Sequence, residues 1–257
     1  MKISGKIIIQ ILTLLFLMTG VISLQKLYIN QINSQATGDY FKEEKELKTL
    51  VEIQKKMPSF GFDNLIADWN FLQFIQYFGD TPGRNKTGSS LISDYFEVVV
   101  KRDPRFVEAL MILSPANSIY GGKPEKTVVF MDEALKHITP EIHPYASLIW
   151  SYKAVDELLF LGDGKAAQHS YEMAAAWALQ RGDEIGKEMA DRNLETARFL
   201  ADNPDSKKAQ ISSWALILSN APDEQTRQRA IEEIRSLGGD ILVTPSGGLQ
   251  IKMPEDD

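Results

Sequence analysis

Eighteen consecutive residues, Ile7 to Leu24 (IIIQILTLLFLMTGVISL), carry no charged side chain and follow Lys2 and Lys6. Such a run limits the fold more than any composition figure. As a helix rising about 1.5 Å per residue it extends about 27 Å, close to the ~30 Å hydrocarbon core of a bilayer. It predicts a transmembrane signal anchor over 7–24 behind a short tail, 1–6. A cleaved leader needs small residues at a cut site, and the first such triplet is Ser34-Gln35-Ala36, well past the apolar run. An uncleaved anchor is therefore expected, with the lipid bilayer as a partner through 7–24. Lys2, Lys6 and the amino terminus precede the span and Lys26 follows it, against Lys42, Lys45 and Lys48 further on. The positive-inside bias then predicts a single-pass protein with a cytoplasmic N-terminus and an extracytoplasmic body, periplasmic or lumenal.

The body carries little reactive chemistry. The chain has no cysteine, so disulfides, thiolate nucleophiles and cysteine-held metals are absent. His137, His143 and His169 stand apart, without the helical spacing of a paired metal site, and no cofactor or metal is expected. A net formal charge of -7 and the lack of a dense Lys/Arg cluster argue against nucleic acid as a partner. Gly121-Gly122-Lys123 and Gly162-Asp163-Gly164-Lys165 lack the spacing of a phosphate loop and read as turns.

From Gly38 onward the pattern is helix, break, helix. Residues 25–90 hold a linker and the first helices. Tyr40 to Lys56 is amphipathic, and Pro58 ends it. Phe60 to Asp80 (FGFDNLIADWNFLQFIQYFGD) is apolar at nearly every angle of a helical wheel, which predicts a helix buried on several sides at the centre of the body. Thr81 to Ser90 reads as a polar loop. The region 91–239 continues the alternation, with helices predicted over about 184–201, 206–219 and 223–237, punctuated by Asn203-Pro204 and Ala221-Pro222-Asp223 and ended by Gly238-Gly239. The tail 240–257 reads either as a small hairpin about Pro245-Ser246-Gly247-Gly248 or as a structureless end.

Within 91–181 the pattern repeats. Trp150 to Trp177 holds two helical segments about Gly162-Asp163, and the second carries Ala167, Tyr171 and Ala174 on one face. Phe96 followed by Pro104, and Met131 and Ala134 followed by Pro140, give two weaker copies at a spacing of roughly 34 to 41 residues. On these residues the region resembles the tetratricopeptide repeat family, although Ser114 and Val155 stand where the first helix of each pair usually has a glycine. The resemblance implies an all-α fold of helical hairpins stacked into a right-handed superhelix. It also implies a protein-binding groove lined from the first helix of each pair, which on matching positions names Glu108, Met111, Tyr152 and Asp156, with Phe160 deeper. The stretch Gly61-Phe62 to Gly79 is similar to a segment of bacterial, including cyanobacterial, membrane-anchored repeat proteins of unassigned function.

Asp68, among Leu65, Leu72 and Ile75, is a candidate buried acid. Trp69, Trp150, Trp177 and Trp214 are expected mostly in the core. A membrane-anchored scaffold or assembly factor, not an enzyme, is the leading expectation. Alternatives are an accessory subunit of a membrane complex, packing through Thr13, Gly20 and Ser23, and an enzyme using Asp63, Asp68 or Asp156.

Overall fold

The structure, a computed structural model, describes residues 13–26, 39–203, 207–219, 224–243 and 249–254. It is mostly helical, with one two-stranded sheet near the C-terminus. The chain divides into two compact units, 1–47 and 48–257.

In the first unit the apolar run is helical over 13–26 (α1), with Leu14, Leu15, Phe16 and Leu24 exposed. This corrects the single-pass expectation: no helix among the described residues is long and apolar enough to cross a membrane. At about 1.5 Å per residue the described residues of α1 extend about 21 Å. The predicted single-pass placement, with a cytoplasmic N-terminus and an extracytoplasmic body, falls with it. Residues 7–12 of the predicted span, the tail 1–6 and Ser34-Gln35-Ala36 lie outside the described residues.

α2 (Tyr40–Lys56) runs across the unit boundary, with Glu43 in its first turn and Lys55 and Lys56 in its last, each suited to the helix dipole. In the second unit follow α3 (Asp63–Gly79), α4 (Thr81–Thr87) and α5 (Ile92–Arg102). α4 replaces the polar loop expected there. Asp80 caps it through the Gly83 N–H, and Pro82 suits a first turn that needs no donor. α5 is tied back to α2 and α3 by two cations. Lys55 lies among Glu52, Asp94 and Glu97, and Arg102 reaches Asp63 at 3.0 Å and the carbonyls of Gln54 and Met57.

α6 (Val107–Leu113) passes directly into a π-helical segment, Ser114–Tyr120, where the Gly121 N–H reaches the Ala116 carbonyl at 3.0 Å. Pro115 offers a physical cause: it has no N–H for the α-helical bond, and its ring crowds the preceding turn. Then come α7 (Pro124–Leu135), α8 (Ser147–Leu159), α9 (Gly164–Leu179), α10 (Glu184–Asp202), α11 (Lys207–Ser219) and α12 (Glu224–Ser236). Asp163 and Asp183 cap α9 and α10, directly after Gly162 and Gly182, whose positive φ values turn the chain between helices. Small residues let α9 sit close to its neighbours: Ala167, Ala174, Ala175 and Ala178 are buried between α8 and α10. α11 and α12 form a further hairpin around Trp214, Ile211 and Ile234. The short sheet packs on that cluster through Ile241 and Ile251, paired opposite each other in antiparallel β1 (Asp240–Val243) and β2 (Leu249–Lys252). The hairpin alternative for the tail therefore holds, while its turn, 244–248, lies outside the described residues, as do Pro204 and 220–223.

α3 departs most from expectation. Its inner face packs on α5 through Ala67, Asn70 and Phe74, with the Phe74 and Phe96 rings 4.7 Å apart. Its outer face is open. Asp68 is exposed, which corrects its assignment as a buried acid, and Trp69, expected in the core, is 54% exposed. An all-round apolar wheel says that each side of a helix favours burial, not which side the fold covers.

Candidate functional site

Three places in the second unit carry chemistry. The first is the outer face of α3. Phe62, Leu65, Trp69 and Leu72 follow the three-four spacing of a helical seam, and all four are exposed, Leu65 by 64% and Leu72 by 56%. Ile75 and Phe60 extend the face. Phe60, just before α3, is the only described non-glycine residue with a positive φ, at 50°, and its ring is 84% exposed. A bulky residue in the left-handed region is strained, and such outliers cluster at active sites, ligand clamps and switch regions. At about 200 Å² per large side chain these six exposures sum to roughly 700 Å², above the ~300–600 Å² of the largest apolar patch on a typical monomer. α3 has no Lys or Arg; Arg102 engages Asp63, and Asp68 is the charge at the edge of the face.

The second place is a buried polar seam where the π-helical segment, α7, α8 and α9 meet. Asp156 on α8 is fully buried, and neither of its oxygens has a hydrogen-bond partner at ordinary geometry. Burial pushes its carboxyl up to about 7; the nearby hydroxyls of Ser118 and Ser114 offset this in part, and the Glu157 charge adds to it. One turn before, Lys153 lies 2.8 Å from Glu157 and 3.0 Å from Asp132, and Ser170 on α9 donates to Glu157 at 2.6 Å. Burial alone would lower the Lys153 pKa, but Glu157 and Asp132 outweigh it and hold the ammonium charged. Ser170 is fully buried, and a charged Lys153 cannot take its proton. Ser93, Asn117, Thr127 and Ser118 continue the seam, with Ser93 donating to Asn117 at 2.6 Å and Ser118 to Thr127 at 2.8 Å.

The third place is a cleft of about 710 Å³ between the end of the π-helical segment and α12, lined by Tyr120, Gly121, Gly122, Gln228, Arg229 and the Glu232–Glu233 pair among others. Arg229 is fixed there: its Nη1 donates to the carbonyls of Ser118 and Ile119, both at 2.7 Å, and its guanidinium faces the rings of Phe160 and Trp214.

The expected groove residues are not brought together as one open surface. Glu108 is exposed and lies 3.3 Å from His143, Met111 and Tyr152 are half-buried, and Asp156 belongs to the interior. Asp156 therefore cannot meet a partner directly, which corrects its place in the groove. Phe160 packs edge-on against Trp214 at 4.9 Å, beside Arg229. Among the tryptophans only Trp214 is fully buried; Trp150 and Trp177 meet edge-to-face at 5.9 Å. No group of three or more His, Asp or Glu side chains among the described residues is placed to hold a metal ion. Arg229, Asn117 and the Lys153–Glu157 pair were missed from sequence; an opposite-charge pair four residues apart on an otherwise apolar helix was the available signal for the last. Comparison with family models, curated proteins and solved structures finds no match to this chain.

Proposed function

We propose that the chain is a protein–protein interaction module that docks its partner on the outer face of α3. The observation that carries this reading is the open three-four stripe Phe62, Leu65, Trp69 and Leu72 on a helix whose opposite face is packed. A stripe of that spacing complements a second amphipathic helix, and roughly 700 Å² approaches the ~800 Å² that each partner buries in a standard interface. With Asp68 at its edge and no cation on α3, the face suits a helix flanked by Lys or Arg; a second copy of α3 would bring like charges together. Under this reading α3, rather than the groove expected over 91–181, is the docking element of a mostly helical body.

The test is fluorescence anisotropy of the full chain with two designed amphipathic helices that share a leucine stripe and carry Lys or Glu flanks. The Lys-flanked helix is expected to bind at micromolar Kd and the Glu-flanked one at least about tenfold more weakly. Leu65→Glu with Leu72→Glu should abolish binding while moving stability by no more than about 1 kcal/mol, because both sites are exposed. Equal binding of the two peptides, or binding that survives the double substitution, removes α3 as the docking surface. Concentration-dependent self-association lost in the same variant would replace the partner helix by a second copy.

A further inference from the structure

We propose that the cleft between the π-helical segment and α12 binds a lysine-type amino acid, held by its α-carboxylate on Arg229 and by its ammonium groups on Glu232 and Glu233. Arg229 is preorganised for this. Its Nη1 is committed to the Ser118 and Ile119 carbonyls, and the Phe160 and Trp214 rings fix the guanidinium plane. Its Nε and Nη2 have no acceptor among the described residues, so one edge of the fork stays available for a carboxylate. Glu232 and Glu233 stand three and four positions along the same helix, the spacing at which an Arg commonly pairs with an acid, yet neither forms an ion pair with it. Both carboxylates are left for a ligand.

Charge selects the ligand class. Arg229 against two glutamates gives the lining one net negative charge, so a simple anion is repelled and a simple cation leaves the guanidinium unanswered. A molecule with one carboxylate and two ammonium groups satisfies all three side chains. Gly121 and Gly122 line the cleft beside Arg229: a Cβ on Gly121 would stand 2.7 Å from the Asn117 carbonyl oxygen, and Gly122 holds φ +62° with its Cβ position 3.8 Å from Arg229 Nη1, an ordinary contact. This site is separate from the face of α3, so it stands or falls independently of the partner reading.

Free lysine carries both ammonium groups, whereas a peptide ending in lysine keeps the carboxylate and the side-chain ammonium but has an uncharged amide in place of the α-ammonium. Isothermal titration of the full chain at pH 7 with L-lysine, lysinamide and Gly-Gly-Lys separates them. L-lysine is expected to give a one-site isotherm at about 1 mM or tighter, with lysinamide, which lacks the carboxylate, at least about tenfold weaker. Gly-Gly-Lys, whose C-terminal lysine lacks the α-ammonium, is expected to bind more weakly than L-lysine. Glu232→Gln with Glu233→Gln alters only side chains without a hydrogen-bond or ion-pair partner among the described residues and should weaken either ligand at least about tenfold. Arg229→Gln should do the same, and the glutamate variant keeps the test decisive if that one fails to fold. Failure of L-lysine to saturate, Gly-Gly-Lys binding more tightly than L-lysine, lysinamide binding as tightly as L-lysine, or unchanged affinity in the folded glutamate variant overturns the proposal.

Discussion

Replacing Asp156 by Asn should stabilise the protein at alkaline pH and flatten its stability profile. The side chains are nearly isosteric, so the change tests charge rather than packing. In the fold the carboxyl is fully buried and titrates at about 7, against about 3.9 in an unfolded chain. Between those values the folded state holds a proton that the unfolded state has released, so stability falls as pH rises. The contribution is complete below about pH 4 and lost once pH passes 7. A shift of roughly three units at about 1.4 kcal/mol each amounts to about 4 kcal/mol. Urea unfolding at pH 5 and pH 8 measures it. The wild type should be less stable at pH 8 by up to ~4 kcal/mol from this group, and Asp156→Asn should remove most of that difference. In thermal melts at pH 8 the Asn variant should gain on the order of 8–16 °C for a chain of this size. An Asn variant that keeps the wild-type pH slope, or loses stability at pH 8, would falsify the claim that Asp156 is buried without a cation.

Lys153→Met should destabilise by about 3–5 kcal/mol in urea at pH 7, because it strands the buried Glu157 charge beside Ser170; adding Glu157→Leu should recover most of the loss, and an additive double variant would contradict the pairing. Gly121→Ala should cost about 1–3 kcal/mol by driving a Cβ into the Asn117 carbonyl, with circular dichroism melts as the check; an unchanged midpoint would mean that the end of the π-helical segment yields freely.

Periodicity and punctuation made most helices legible. α2 has the bounds read from its amphipathic pattern, and Gly162-Asp163 and Gly182-Asp183 mark turns because a glycine with positive φ followed by an Asp cap is a local device needing no partner. The membrane span was misjudged because an uncharged run sets how long a helix could be, while the described helix covers only 13–26. Asp156 was misplaced for a related reason. Its place in the groove follows only from the resemblance to the tetratricopeptide repeat family, which matches a position along a helix and does not say which side of α8 the fold covers. The fold instead closes the π-helical segment, α7 and α9 over Lys153, Asp156 and Glu157, a tertiary fact with no trace in local spacing.

The buried seam and the open face of α3 pose opposite problems from the same ambiguity. A helix with apolar residues all around gives no direction, and a helix with charges on one side gives the wrong one when those charges pair internally. Which face is covered depends on where neighbouring helices arrive, and here two latches set that. Lys55 and Arg102 bring α2 and the start of α3 onto α5, so the inner face of α3 is buried and its aromatic outer face is left over. Arg229 binds α12 to the π-helical carbonyls, so the segment that lies against Asp156 also forms one wall of the cleft. A ligand that draws on Arg229 therefore acts on the element whose hydroxyls moderate the Asp156 carboxyl. Binding in the cleft and the ionisation of Asp156 should then be linked: if L-lysine affinity is compared at pH 5 and pH 8, Asp156→Asn should reduce its pH dependence. Identical pH profiles for the two proteins would mean that the π-helical segment transmits nothing between them.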